Sequence, residues 1–469
     1  MAHSLARSLQ RLSLMRTTIG LAAMLMWALV GCSSSNQGGE TGGGGSHQGE
    51  GGSNQGGGGS TAAPAECFEV KPGCVVASDA ERITTPDVPA EDRESLARNN
   101  ASFALDLGRA LDGATKNLVY SPFSVSTALA MSYAGARGDT KEAIAKAMRF
   151  ELPEDRLHPA FNHVDLELQK RAESTREGGG FRLRTANALW SQLELTLQQP
   201  FLKVLVESYG APVRLADFTN AEEAEGLINT WVSDRTDGLI PKLLDGNVEP
   251  ATQLVLVNAI SFKAAWSEPF KEEATKPGAF ERADGTSVTA QMMRGTQETR
   301  HGAGDGWEAV ELPYAGTPVS MVVVMPDPGT ADAFEELLDG AALEELLDSM
   351  QQRSVDITMP KFSFRSSASL KEALQTLGMG VAFSPDADFK GIIAEGELNI
   401  QDVIHEALID VDEAGTEAAA ATAVLFEVTG GGAPVPAEIV VDRPFFFFIK
   451  DLATEAILFA GRVNDPTAR

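Results

Sequence analysis

The chain has 469 residues, 43% of them hydrophobic, and a formal net charge of −28. The length allows two or three domains and the apolar content a sizeable core. The acidity runs along the whole chain, so like-charge repulsion opposes non-specific binding to nucleic acid or to anionic lipid and favours a neutral or basic partner surface.

At the N-terminus, Arg7, Arg11 and Arg16 give a positive start with no acidic residue, followed by an apolar run from Leu21 to Val30 that is short for a membrane span. The run ends in Leu29-Val30-Gly31-Cys32, which resembles a bacterial lipobox. That resemblance implies a signal peptide over residues 1–31, cleavage before Cys32 and acylation of its thiol. It also implies an exported, envelope- or surface-anchored protein facing the exterior, each acyl chain adding about 0.8 kcal/mol of membrane affinity per buried CH₂. Residues 32–63 hold the anchor cysteine and Gly/Ser/Gln/Asn repeats that cannot bury a core, which predicts a flexible tether reaching ~30 Å. Residues 64–92 form a second, non-periodic extension. With Cys32 acylated, Cys67 and Cys74 are an even remainder in an oxidising compartment. This predicts one small disulfide, with two free thiols as the alternative.

From about residue 93 to 469 the composition is globular and shows no further linker, predicting one large domain, and a monomer. Apolar spacing predicts helices over Ser95–Leu111, Pro122–Tyr133 (with Ser121 before a first-turn proline), Thr140–Met148 and Ala221–Asp234. Strands are predicted at Leu254–Phe262, Val319–Met325, Val355–Met359 and Phe445–Ile449. Helices early and strands late indicate an α+β class rather than alternating βαβ units.

Enzyme signatures are missing. There is no G-x-S-x-G elbow, no H-E-x-x-H and no phosphate-binding glycine loop. His405-Glu406 is followed by Ala407-Leu408-Ile409, so a second zinc ligand is lacking, and the six histidines are scattered. The expectation is a protein that is not an enzyme and uses no metal or cofactor. Lys170, Arg171 and Arg176 lie among Glu167, Glu173 and Glu177, a mixed-charge face rather than a polyanion groove.

The most informative stretch runs from Glu413 to Phe448. By propensity alone Thr416 to Ala423 could be an alanine-rich helix. Counted by twos, however, Thr416, Ala418, Ala420, Thr422, Val424, Phe426 and Val428 share one face, small and then apolar, while Glu417 and Glu427 lie on the other. Such a segment can sit exposed and also fit as an interior strand. Gly415 supplies a pivot before it, and Gly430 to Gly432 with Pro434 and Pro436 keep the far end irregular.

Glu413-Ala414-Gly415-Thr416-Glu417-Ala418-Ala419-Ala420-Ala421-Thr422 resembles the reactive-loop hinge of inhibitory serpins. Further matches follow in order: Asn117 to Ser124, Ile228 to Val232, Thr236 to Ile240, Leu256 to Lys263 with Trp266 and Pro269-Phe270, Glu311 to Tyr314, and Arg443-Pro444-Phe445. The resemblance implies a fold of helices plus three β-sheets, with a five-stranded sheet A and a C-terminal loop, about residues 413–442, held outside it. It also implies suicide inhibition of a serine or cysteine endopeptidase. The peptidase would be trapped as an acyl-enzyme while the cut loop inserts, releasing on the order of 20 kcal/mol. The hinge residues would be Glu413, Gly415, Thr416, Ala418, Ala420 and Thr422. A shutter of Ser121, Ser124, Asn258 and His405 would gate strand separation, and Trp266 would mark the breach where insertion starts. The alternative is a non-inhibitory serpin-fold carrier or cleavable sensor on the cell surface.

The family's spacing of about seventeen residues from Glu413 puts the scissile bond at Thr429–Gly430, whereas counting back from Pro444 gives a residue near Ala433. Thr429 and Val428 suit an elastase- or subtilisin-like pocket, Glu427 a glutamyl-specific one and Phe426 a chymotrypsin-like one. The lack of Lys or Arg between Glu413 and Asp442 disfavours a trypsin-like target.

Overall fold

The computed structural model describes residues 70–111, 116–174, 181–246, 248–416 and 435–468. The lipobox Cys32, the tether, Cys67, the hinge positions Ala418, Ala420 and Thr422, and the scissile-bond candidates Glu427, Val428, Thr429 and Gly430 lie outside the described residues.

Strand β1 (Val75–Val76) precedes helix α1 (Ala90–Ala110), β2 (Leu118–Tyr120), α2 (Pro122–Tyr133), α3 (Gly138–Ala147) and α4 (Glu154–Ser174). Then come β3 (Phe181–Gln192), β4 (Val213–Ala216), α5 (Ala221–Arg235) and β5 (Leu254–Ala265). The later half is mostly sheet: β6 (Lys276–Glu281), β7 (Ser287–Gly304), β8 (Trp307–Pro313), β9 (Val319–Pro326), β10 (Gln351–Pro360), β11 (Phe362–Ser369) and β12 (Val403–Val411). It closes with β13 (Gly415–Thr416), β14 (Ala437–Val440), β15 (Phe445–Asp451) and β16 (Ile457–Val463). This is the expected α+β class.

Helix α2 spans the residues predicted for it, because its start is chemically marked: Ser121 Oγ accepts the Ser124 N–H at 3.2 Å and Pro122 occupies the first turn. Helix α1 begins five residues before the predicted Ser95, since Ala90-Glu91-Asp92-Arg93-Glu94 has helix-favouring charge but little apolar periodicity.

The strands form two hydrogen-bonded sheets. Sheet A runs β1-β4-β3-β5-β13-β12-β11, and the other runs β14-β10-β7-β8-β9-β15-β16-β2, with β6 on β7. The expected second and third sheets are thus joined, because the 18-residue β7 pairs with β10 from Met292 to His301 and with β6 and β8 at its two ends. Residues 70–89 also belong to the body rather than to a separate extension. Val75 and Val76 pair with Arg214 and Val213, and Arg82 donates to Asn162 and Asp165 on α4. Cys74 is buried and disulfide-bonded to a partner outside the described residues.

The main core lies between the two sheets and α1 and α2. A second apolar cluster covers the opposite face of sheet A. There Ala186, Ala188 and Trp190 of β3 and Val255, Val257 and Ala259 of β5 meet Ala224, Ile228 and Val232 of α5.

Candidate functional site

Strands β5 and β12 are the centre of sheet A, and their pairing changes midway along. From Val403↔Leu256 to Ala407↔Ile260 they are parallel neighbours. Continued upward, that register would set Val411 opposite Ala264. Instead Thr416 sits between them, paired antiparallel to both Val411 and Ala264. The expectation of a loop held wholly outside the sheet is therefore corrected: Gly415 and Thr416 already occupy the lane as β13. Sequence patterning could not fix this boundary, because the small-residue face is compatible with either side of the sheet's rim.

The hinge is fastened residue by residue. Asp412 Oδ1 accepts the N–H groups of Ala414 (2.8 Å) and Gly415 (3.1 Å), an Asx-type turn that reverses the chain. Gly415 approaches β5 so closely that a Cβ there would lie 2.1 Å from the Ala264 carbonyl oxygen, so only glycine fits. Glu413 receives Thr275 Oγ1 and Lys361 Nζ, each at 2.6 Å. Burial opposes its charge, but these donors outweigh it and hold the carboxyl below the usual glutamate range.

Trp266, expected to mark the breach, packs beside the start of β13. Its indole stacks on Tyr314 at 4.6 Å and 11°, and Nε1 donates to the Asp412 carbonyl at 2.9 Å. The Tyr314 hydroxyl bonds Thr416 Oγ1 at 2.6 Å. Thr416 is fully buried, and burial holds the Tyr314 phenol far above its ordinary range, so it stays a neutral partner. Tyr314 was visible in the Glu311-Leu312-Pro313-Tyr314 match, but nothing in the sequence linked it to the hinge.

The four residues expected to form the shutter come together on the α2 face of sheet A, although Ser121 and His405 are 284 positions apart. Ser121 N–H donates to His405 Nε2 at 3.0 Å, so Nε2 carries no proton and Nδ1 donates to Asn258 Oδ1 at 2.5 Å. Asn258 Nδ2 donates to Ser124 Oγ at 2.6 Å and to Asn187 Oδ1 at 2.8 Å. Ser121 Oγ ties the start of α2 to the Leu458 carbonyl at 2.6 Å. Asn187 is the member sequence reading missed. It stands in one row with Asn258 and His405 across β3, β5 and β12, a placement only register reveals.

This network has a pH signature. Burial lowers the His405 pKa from about 6.5 to about 4, with the Asn258 bond opposing to a lesser degree. Protonating Nε2 would abolish its bond from Ser121. Above pH ~6.5 the neutral ring contributes full stability. As pH falls toward 4 the unfolded chain takes up the proton first and roughly 3 kcal/mol is lost, with no further loss from this group below that. The difference in melting temperature between wild type and His405→Gln should therefore vary with pH from 6.5 to 4 and be flat above 7.

Among the described residues no group of three or more His, Cys, Asp or Glu could hold a metal ion. A large sheet with its own loop started between two central strands, above a buried polar latch, defines a protein class by geometry. A family model described as serpin (serine protease inhibitor) matches residues 98–466, and the chain belongs to the serpin family. It is 38% identical over 82% of its length to an uncharacterised serpin-like protein of Thermococcus kodakarensis, covering 89% of that protein. It is 37% identical over 80% of its length to the leukocyte elastase inhibitor of Bos taurus, covering all of it. Among solved structures it resembles the thermophilic serpin tengpin in its native state, with a TM-score of 0.73, 25% identity and coverage of 84% of this chain and 100% of that one. It also resembles thyroxine-binding globulin with thyroxine, with a TM-score of 0.69, 28% identity and coverage of 79% and 99%.

Proposed function

We propose that this serpin inhibits serine-type endopeptidases as a suicide substrate, presented at a membrane surface through a lipid on Cys32. The observation that carries the reading is the place of Thr416, buried between β5 and β12 where the sheet would otherwise close. A strand already begun in the lane can lengthen when the chain is cut beyond it. Attack on the loop gives an acyl-enzyme, and insertion drags the peptidase along the sheet before water can deacylate it.

Elastase- or subtilisin-like peptidases fit Val428 and Thr429 best, and similarity to the leukocyte elastase inhibitor supports that choice. Incubation with such a peptidase should give an SDS-stable covalent complex. Clean cleavage without complex would instead favour a carrier or cleavable sensor, a reading supported by the likeness to thyroxine-binding globulin. Thr429→Arg should shift inhibition toward trypsin-like peptidases. If it forms no complex with trypsin, the scissile bond lies elsewhere, at Val428, Glu427 or near Ala433.

A further inference from the structure

At the edge of sheet A, away from the hinge, Val75, Arg214 and Trp190 stand in one row across β1, β4 and β3. The guanidinium of Arg214 lies 5.7 Å from the ring of Trp190 and 4.9 Å from that of Trp231 on α5. Arg235, also on α5, lies 5.7 Å from Trp231 on its own account. The two indoles meet edge to face at 6.0 Å.

Among the described residues the cluster has donors and no acceptor. Among the described residues neither arginine forms an ion pair or a side-chain hydrogen bond. The Nε1–H groups of Trp190 and Trp231 are buried and unpartnered, Trp190 being 1% exposed. Arg214 is half-buried, and burial together with the charge of Arg235 lowers its pKa to about 10. Stacking on indole faces offsets some of the cost of desolvating a cation, but it leaves the guanidinium N–H fork unsatisfied. In a chain of net charge −28, two adjacent arginines with no paired carboxylate among the described residues are the reverse of what composition would place there.

We propose that the Arg214–Trp231–Arg235 cluster where β3 and β4 meet α5 is a carboxylate-binding site, with the Arg214 fork as its primary donor, Arg235 as a second positive charge and the half-buried Trp231 indole beside them. The planar, bidentate guanidinium matches a carboxylate, and the part-exposed Trp231 indole beside it favours an aromatic acid over a small aliphatic one. The carboxylate has two sources. One is a free organic acid. The other is Glu66 or Glu69, which precede the Lys71–Cys74 turn leading into β1.

The test titrates the full chain with benzoate, and with acetate for comparison, following tryptophan fluorescence and melting temperature. A saturable fluorescence change and a rise of several degrees with benzoate, weakened at least tenfold in Arg214→Gln and less in the exposed-site variant Arg235→Gln, establishes a site for free acids. A flat response in wild type that becomes saturable in the Glu66→Gln/Glu69→Gln double variant establishes occupation by the chain's own carboxylate. A flat response in both overturns the proposal and leaves Arg214 held by the indole faces alone.

Discussion

Protein nicked once at the Thr429–Gly430 bond, or between it and residue 435, should melt about 25 °C above the intact chain. Extending β13 by about a dozen residues forms bonds on both edges of the new strand and buries its small-residue face, a gain of roughly 40 kcal/mol at ~1 kcal/mol per bond and ~25 cal/mol per Å². Ordering the segment costs about 1.5 kcal/mol per residue, so on the order of 20 kcal/mol remains. The family-matched region, residues 98–466, gains about 2 cal/mol/K of entropy per residue on unfolding. That converts the gain into the stated shift. Differential scanning calorimetry on intact and nicked protein reads it directly, and coincident melting temperatures would remove the basis for inhibition by insertion.

The second large effect is expected from Thr416→Arg. Thr416 has no exposed surface and, among the described residues, its Oγ1 meets the Tyr314 hydroxyl and no carboxylate, so a guanidinium there would be a buried, unpaired charge costing several kcal/mol. Gly415 and the arginine would leave the lane, and insertion after cleavage would have to pass that barrier. A barrier raised by about 3 kcal/mol slows insertion roughly 100-fold, enough for deacylation to win. The variant should be cut like a substrate and form at least tenfold less SDS-stable complex, while Thr416→Ser, which keeps the hydroxyl, should inhibit normally. Undiminished complex formation by the arginine variant would show that the loop does not enter between β5 and β12.

The regions of the fold legible in the sequence are those with local causes. Helix α2 is legible because Ser121 and Pro122 mark its start, and β9 because Val319 to Met325 is a buried β-branched run. Strand β3 is not, since it carries Arg182, Arg184, Thr185 and Asn187 among its apolar residues and is held by neighbours on both sides. Strand β7 is polar and glycine-containing along much of its 18 residues, so no period marks it as a strand. The shutter is legible only through family resemblance, because its four members come from three elements far apart in the chain. Even so, Asn187 escaped notice, since a lone asparagine in a mixed strand carries no signal until the register is known. The hinge shows the same limit: parity identifies which face of residues 416–428 can be buried, but not how much of it is buried before cleavage.

The register at Thr416 also sets a schedule. Each residue added below it would unzip the β5–β12 seam by a further step, and the sixth, Thr422, would arrive level with Asn258 and His405. By then the tethered peptidase would have travelled about 20 Å. The latch would therefore act as a midpoint checkpoint, crossed only after the journey is well under way. Because the arriving residue is a threonine on the same face, its hydroxyl could take up the bond that the separating His–Asn pair gives up, easing the passage it would otherwise obstruct.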